Sequence, residues 1–163
     1  MVAAVSALIA QMGGPHGYGV RMLVALGLTF AIGFERELRG SPAGDRTFSL
    51  VGLGSAVVGY LALNGAPNAL AGVVTGVGFI GAGVIVHSDD AVGMVQGVTT
   101  AATIYLAAAI GAAAGQGELL MATEATAISL LILEVRHIRI LRFVDGRYWR
   151  RKFDTSEDEM MDM

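Results

Sequence analysis

Cysteine is absent from the 163-residue chain, so it can build neither a disulfide framework nor a thiolate metal site. Proline occurs only 3 times and no G-X-Y period runs through the 23 glycines, which excludes collagen-like and proline-rich linker architectures. Charge is scarce too. Asp, Glu, Lys and Arg together make up 15% of the chain, against roughly 25% in an ordinary soluble domain, and that scarcity excludes a water-soluble globule. There is also no Walker motif, no H-E-x-x-H and no nucleophile elbow, so an enzymatic reading has no residues to rest on.

What is present is apolar: 54% of the residues are hydrophobic. The 42 residues 47–88 and the 27 residues 91–117 contain no Asp, Glu, Lys or Arg. Each run exceeds the roughly 20 apolar residues needed to cross a bilayer core. The first is long enough for two passes, with a turn at Asn64-Gly65-Ala66-Pro67-Asn68. With an apolar helix before these runs and another after them, the expectation is an all-α, polytopic membrane helix bundle. It has about five transmembrane helices near 17–39, 47–64, 68–86, 95–115 and 118–137. Residues 1–16 form a short apolar segment expected to lie at the interface, and 138–163 form a basic juxtamembrane segment with an acidic, disordered tail.

Arginine placement sets the expected orientation. Ten of the 11 Lys and Arg residues follow the first or the last span: Arg36, Arg39, Arg46, Arg136, Arg139, Arg142, Arg147, Arg150, Arg151 and Lys152. The positive-inside rule then puts the N-terminus outside and the C-terminus in the cytoplasm. The basic stretch after 138 is interleaved with Phe143, Tyr148, Trp149 and Phe153, which suits an anionic inner leaflet. Because that stretch abuts a membrane helix, nucleic acid is not an expected partner.

Several polar residues stand out against this background. Only 13 residues separate Arg21 from Glu35, about 20 Å of helix against a hydrocarbon core of roughly 30 Å. One charged end must therefore sit below the membrane surface, and Glu35 with Arg36 is expected to face the bundle interior. Thr99, Thr100 and Thr103 cluster near the start of the fourth span, where hydroxyls either bond back to their own helix or join Glu35 in a polar pocket. Glu124 lies inside the last helix, where an ionisable group either marks function or reaches water at the interface. His87, Asp89 and Asp90 are weak candidates for a metal site, because nothing nearby supplies the further oxygen ligands a hard cation needs.

Gly76-Val77-Gly78-Phe79-Ile80-Gly81 matches the dinucleotide-binding pattern formally, but it lies within an uncharged spanning run instead of at a strand-to-helix turn, so the match carries no cofactor meaning. Gly72, Gly76, Gly78, Gly81 and Gly83 are expected instead to let neighbouring helices approach closely. The alternative is a locally unwound helix lining a cavity.

Taken together, these motifs resemble the MgtC/SapB family of bacterial inner-membrane proteins. The resemblance is carried by Arg21-Met22-Leu23-Val24-Ala25, Gly33-Phe34-Glu35-Arg36-Glu37, Ala43-Gly44-Asp45-Arg46-Thr47, Gly76 to Gly83, and Gly97-Val98-Thr99-Thr100-Ala101-Ala102. It implies a multi-pass inner-membrane protein of magnesium or ion homeostasis. Three departures stand beside it: Gln96 where a basic residue is typical, the acidic Glu124 and Glu134 in the last helix, and the expectation of a membrane domain without the soluble C-terminal domain that other members add. Two functions stay open. In one, Glu35, Arg36, Asp45, Arg46, Thr99, Thr100 and Glu124 line a polar cavity or ion pathway for Mg2+ or another cation, with no resident cofactor. In the other, the chain is a non-transporting regulatory subunit that modulates another membrane protein during magnesium or acid stress. The expected partners are the lipid bilayer and either a second copy or another membrane protein.

Overall fold

The structure, a computed structural model, describes residues 17–86 and 96–134. The expected interfacial segment 1–16, the candidates His87, Asp89 and Asp90, and the basic and acidic segments from 138 onward lie outside the described residues. Among the described residues there are five helices and no strand: α1 Gly17–Leu38, α2 Asp45–Leu63, α3 Ala69–Val86, α4 Val98–Gln116 and α5 Leu119–Glu134. The fold class is all-α. Three of the helices, α1, α2 and α4, are long and apolar enough to cross a membrane, and α3 is a shorter apolar helix.

The chain divides after Ala127 into two compact units, and the first of them holds the packed helices. Large apolar side chains point outward: Leu23, Leu50, Phe79 and Leu120 are each about 70–84% exposed. The interior instead holds small or polar residues such as Ala25, Thr29, Ala56, Ala107 and Ala114, with Phe48, Ile32, Ile104 and Ile110 as its bulk. A soluble domain exposes contiguous apolar surface of this extent only at an interaction site. A membrane domain presents it to lipid on every side, and its helices meet through small residues because lipid gives them no hydrophobic drive to associate. The chain is a membrane protein.

The closest approaches are between α2 and α4. A Cβ on Gly111 would stand 2.2 Å from the carbonyl oxygen of Gly52, one on Gly115 would stand 2.1 Å from that of Ala56, and one on Gly59 would stand 2.4 Å from that of Ala112. The α1–α2 contact is equally tight: a Cβ on Gly52 would be 2.2 Å from Thr29 Oγ1, and one on Gly33 would be 2.7 Å from the Cα of Asp45. Here the expectation for α3 needs correcting. A Cβ added at Gly72, Gly76, Gly78 or Gly83 meets nothing within 4 Å, and one at Gly81 reaches only an ordinary 3.4 Å contact with Ala101. Nor is α3 unwound, since it is α-helical from Ala69 to Val86. Within the chain, close packing belongs to the glycines of α1, α2 and α4.

Two helix ends position polar groups. At the end of α1 the amide of Ser41 donates to the carbonyl of Arg36 and that of Gly40 to Glu37, with Gly40 at φ +65°. This is the glycine-closed Schellman turn, and it swings the chain out of the helix at Ser41. The same pattern closes α4, where Glu118 donates to Ala113 and Gly117, at φ +94°, donates to Ala114.

Candidate functional site: a buried charge cluster at the end of α1

Glu35 and Arg36 are both buried, at 7% and 9% exposure, although consecutive helical residues point about 100° apart. The length of the arginine side chain resolves this. Arg36 reaches back along α1 so that its Nε donates to Glu35 Oε2 while its Nη2 donates to Oε1 at 2.6 Å. Arg39, one turn on, directs its Nε to Glu35 Oε1 at 3.4 Å. One carboxylate is therefore held by two guanidinium groups, one of them bidentate, and such charge-assisted forks are the stronger class of hydrogen bond. Counted over these three side chains alone, the formal charge is positive.

Ser41 extends the cluster to α4. Its Oγ lies 2.9 Å from Thr100 Oγ1, and Thr100 is buried. Thr103 turns back on its own helix and donates to the Thr99 carbonyl at 2.6 Å, while the Thr99 side chain is exposed. The two hydroxyls four residues apart therefore do not meet on one polar face.

Beside the cluster is a polar recess of about 380 Å³ lined by Glu37, Gly44, Asp45, Arg46 and Thr47. The Glu37 carboxylate lies against Gly44, where any Cβ would collide with it. Asp45 Oδ1 accepts from the Arg46 amide at 2.6 Å, and Arg46 is exposed. The ion pairs of Glu35 among the described residues are with Arg36 and Arg39, so Arg46 is not its partner.

Glu124 belongs to the other end of the bundle. It is exposed near the start of α5, the helix that follows the Arg21 end of α4. Arg21 itself reaches from α1 to the C-terminus of α4, where its Nη1 donates to the Gly115 carbonyl at 3.3 Å and its guanidinium packs against Gly117. A cation there complements the partial negative charge of the helix end.

Of the seven polar candidates, the structure joins Glu35 to Arg36, sets Asp45 and Arg46 in the neighbouring recess and reaches Thr100 through Ser41. Thr99 faces outward and Glu124 is remote. Three contributors were not among those candidates: Arg39, Ser41 and Arg21. The Glu-to-Arg spacing of four residues was a readable signal for Arg39. Nothing in the spacing of Ser41 and Thr100, 59 residues apart, signals their contact. Among the described residues, no group of three or more His, Cys, Asp or Glu side chains is placed to hold a metal ion.

The chain is similar to "Putative magnesium transporter YhiD" of Escherichia coli strain K12, with 38% identity over 143 residues, covering 79% of this chain and 65% of that protein. It is 37% identical to Protein SrpB of Synechococcus elongatus over 133 residues, covering 72% of this chain and 73% of the relative. Against Protein MgtC of Salmonella typhimurium the identity is 40% over 118 residues, covering 69% of this chain and 49% of the relative. The chain thus spans just under two thirds of YhiD and about half of MgtC. No solved structure matches it. Residues 22–139, from the second turn of α1 to beyond α5, match the MgtC family description, and the chain belongs to that family.

Proposed function

We propose that this MgtC-family protein serves magnesium homeostasis in the bacterial inner membrane as a regulatory subunit acting on another membrane protein, not as a cation carrier by itself. One observation carries this reading. The Glu35 carboxylate has both oxygens engaged by Arg36 and Arg39, whereas a hard cation needs several uncommitted oxygen ligands and a negative local field. Two guanidinium groups around one carboxylate supply the opposite field. The magnesium connection is supported by the name that YhiD carries.

One observation favours the second reading, cation passage: Glu37 and Asp45 both line the recess beside the cluster. Arg46 in the same recess offsets one of those acids. Magnesium entry into liposomes holding the purified protein alone separates the two readings. The regulatory reading expects the flux of empty liposomes, and a saturable flux above that level would overturn it. The proposed topology has five crossings, N-terminus outside. Reporter fusions after Gly65 and Gly115 are expected to report the outer side and fusions after Gly40 and Arg151 the cytoplasm; a cytoplasmic signal after Gly65 would contradict it.

A further inference from the structure

At Gly81, α3 lies against α4, where an added Cβ would stand 3.4 Å from that of Ala101. Further along the two helices the space between them is an apolar groove of about 400 Å³, lined by α3 from Leu70 to Val77, by α4 from Tyr105 to Gln116 and by the first turns of α5. The sequence leaves this space open because α4 meets it with alanine: Ala109, Ala112 and Ala113 all line the groove. From Tyr105 to Gln116 is about 16 Å along the helix, close to the roughly 15 Å that one leaflet contributes to a hydrocarbon core of roughly 30 Å. The wall on which this length is measured belongs to a helix long and apolar enough to cross a membrane.

The dimensions select what fills it. An ordered water needs several polar partners, and the lining side chains able to hydrogen-bond, Tyr105 and Gln116, stand at opposite ends. The volume spread over that length gives a mean section of about 25 Å², whereas an α-helix roughly 10–12 Å across has a section of roughly 80 Å² or more. A helix laid over the groove could insert only single side chains and would leave gaps between them, and gaps forfeit dispersion contacts. An extended peptide has the width but would set its backbone N–H and C=O groups against apolar walls without partners. These arguments apply to any peptide segment, whether from this chain or from another protein. A hydrocarbon chain has the width and the length, and it carries no polar group to satisfy.

We infer that the groove is a lipid site, holding one acyl chain of a phospholipid from the leaflet at the Gln116 end of α4. With the chain's methyl end at Tyr105, its ester end lies at Gln116, the last residue of the helix. Among the described residues the Gln116 carboxamide makes no hydrogen bond, so its N–H groups can donate to the ester carbonyl. The site goes beyond the regulatory reading and does not depend on it, because it rests on the shape and lining of the groove and on α4 crossing the bilayer.

The test weighs the full chain by native mass spectrometry after extraction from its membrane in mild detergent. The wild type is expected to carry one retained phospholipid per chain. Ala109→Phe places a ring in the groove at an exposed position. It should reduce the retained fraction roughly fivefold or more, the change to which the lower end of overpacking costs converts. Leu23→Phe, on the exposed face of α1, should leave retention unchanged. After delipidation, added palmitoyl-oleoyl phosphatidylethanolamine should raise the melting temperature of the wild type, as a ligand of the folded state does, and raise that of Ala109→Phe less. Should Ala109→Phe fail to accumulate, Ala113→Leu blocks the same groove with a smaller side chain and is read in the same way, and the wild-type measurements need no variant. A wild type without retained phospholipid, detergent or a peptide retained in its place, equal retention in the folded blocking variant, or an equal melting response to the lipid would each overturn the proposal.

Discussion

Gly111 of α4 lies directly against the carbonyl of Gly52 in α2, so near that a Cβ would stand 2.2 Å from the oxygen. The neighbouring pair, Gly115 on Ala56, repeats the contact one turn along at 2.1 Å. A small residue every fourth position on both helices brings the two backbones together. That seam also fixes where α4 starts relative to α1, and hence where Thr100 meets Ser41.

Gly111→Leu should therefore force α2 and α4 apart. Overpacking typically costs about 1–3 kcal/mol, and more is expected here because the obstructing atoms are backbone and cannot rotate away. Gly78→Leu and Gly76→Leu should cost little within the chain, since an added Cβ meets nothing there. Thermal unfolding of the detergent-purified variants checks the ranking; equal losses at Gly111 and Gly78 would contradict it.

Glu35→Gln should be strongly destabilising, because it leaves Arg36 buried without its counter-charge. Removing one partner of a buried pair typically costs about 3–5 kcal/mol, while replacing the whole pair by packed apolar groups is often near neutral. Glu35→Leu combined with Arg36→Met should accordingly lose less stability than Glu35→Gln alone. Urea or thermal unfolding in detergent reads the difference, and a double variant much weaker than the single would show that the pair is not what holds this end together.

The Ser41–Thr100 hydrogen bond offers a smaller, cleaner test. Ser41→Ala and Thr100→Val should each cost about 0.5–1.5 kcal/mol. The double variant should cost distinctly less than their sum, because both changes remove the same bond. Additive losses would mean that the two hydroxyls act independently.

Much of this architecture was readable in advance, for identifiable reasons. Charge-free runs must be buried in lipid or protein, and the helices α2, α3 and α4 occupy the runs 47–88 and 91–117 to within a few residues. The short spacing from Arg21 to Glu35 likewise forced a charge below the surface, and Glu35 is buried. Which glycines pack was not readable from their density. The richest cluster, Gly72 to Gly83, signals only that a neighbour can approach, and the helix register decides whether one does. The four-residue spacings Gly52 to Ala56 and Gly111 to Gly115 were equally visible in the sequence and are the ones used. From its position alone Arg21 reads only as the charge that opens the 13-residue apolar stretch before Glu35. Its partner is a carbonyl 94 residues away, created only when the glycine turn at Gly117 leaves the α4 terminus beside α1.

Arg36 and Arg39 pair with the buried Glu35 carboxylate, and on the regulatory reading that acid does not serve as a cation ligand. Anything that binds the folded state stabilises it by a term that grows with its concentration, so the most direct measurement is the melting temperature of the purified chain as Mg2+ is raised, in the wild type and in Glu35→Gln. No Mg2+-dependent rise is expected in either protein, with Glu35→Gln melting lower throughout. A rise in the wild type that disappears in Glu35→Gln would contradict it and make Glu35 a cation ligand.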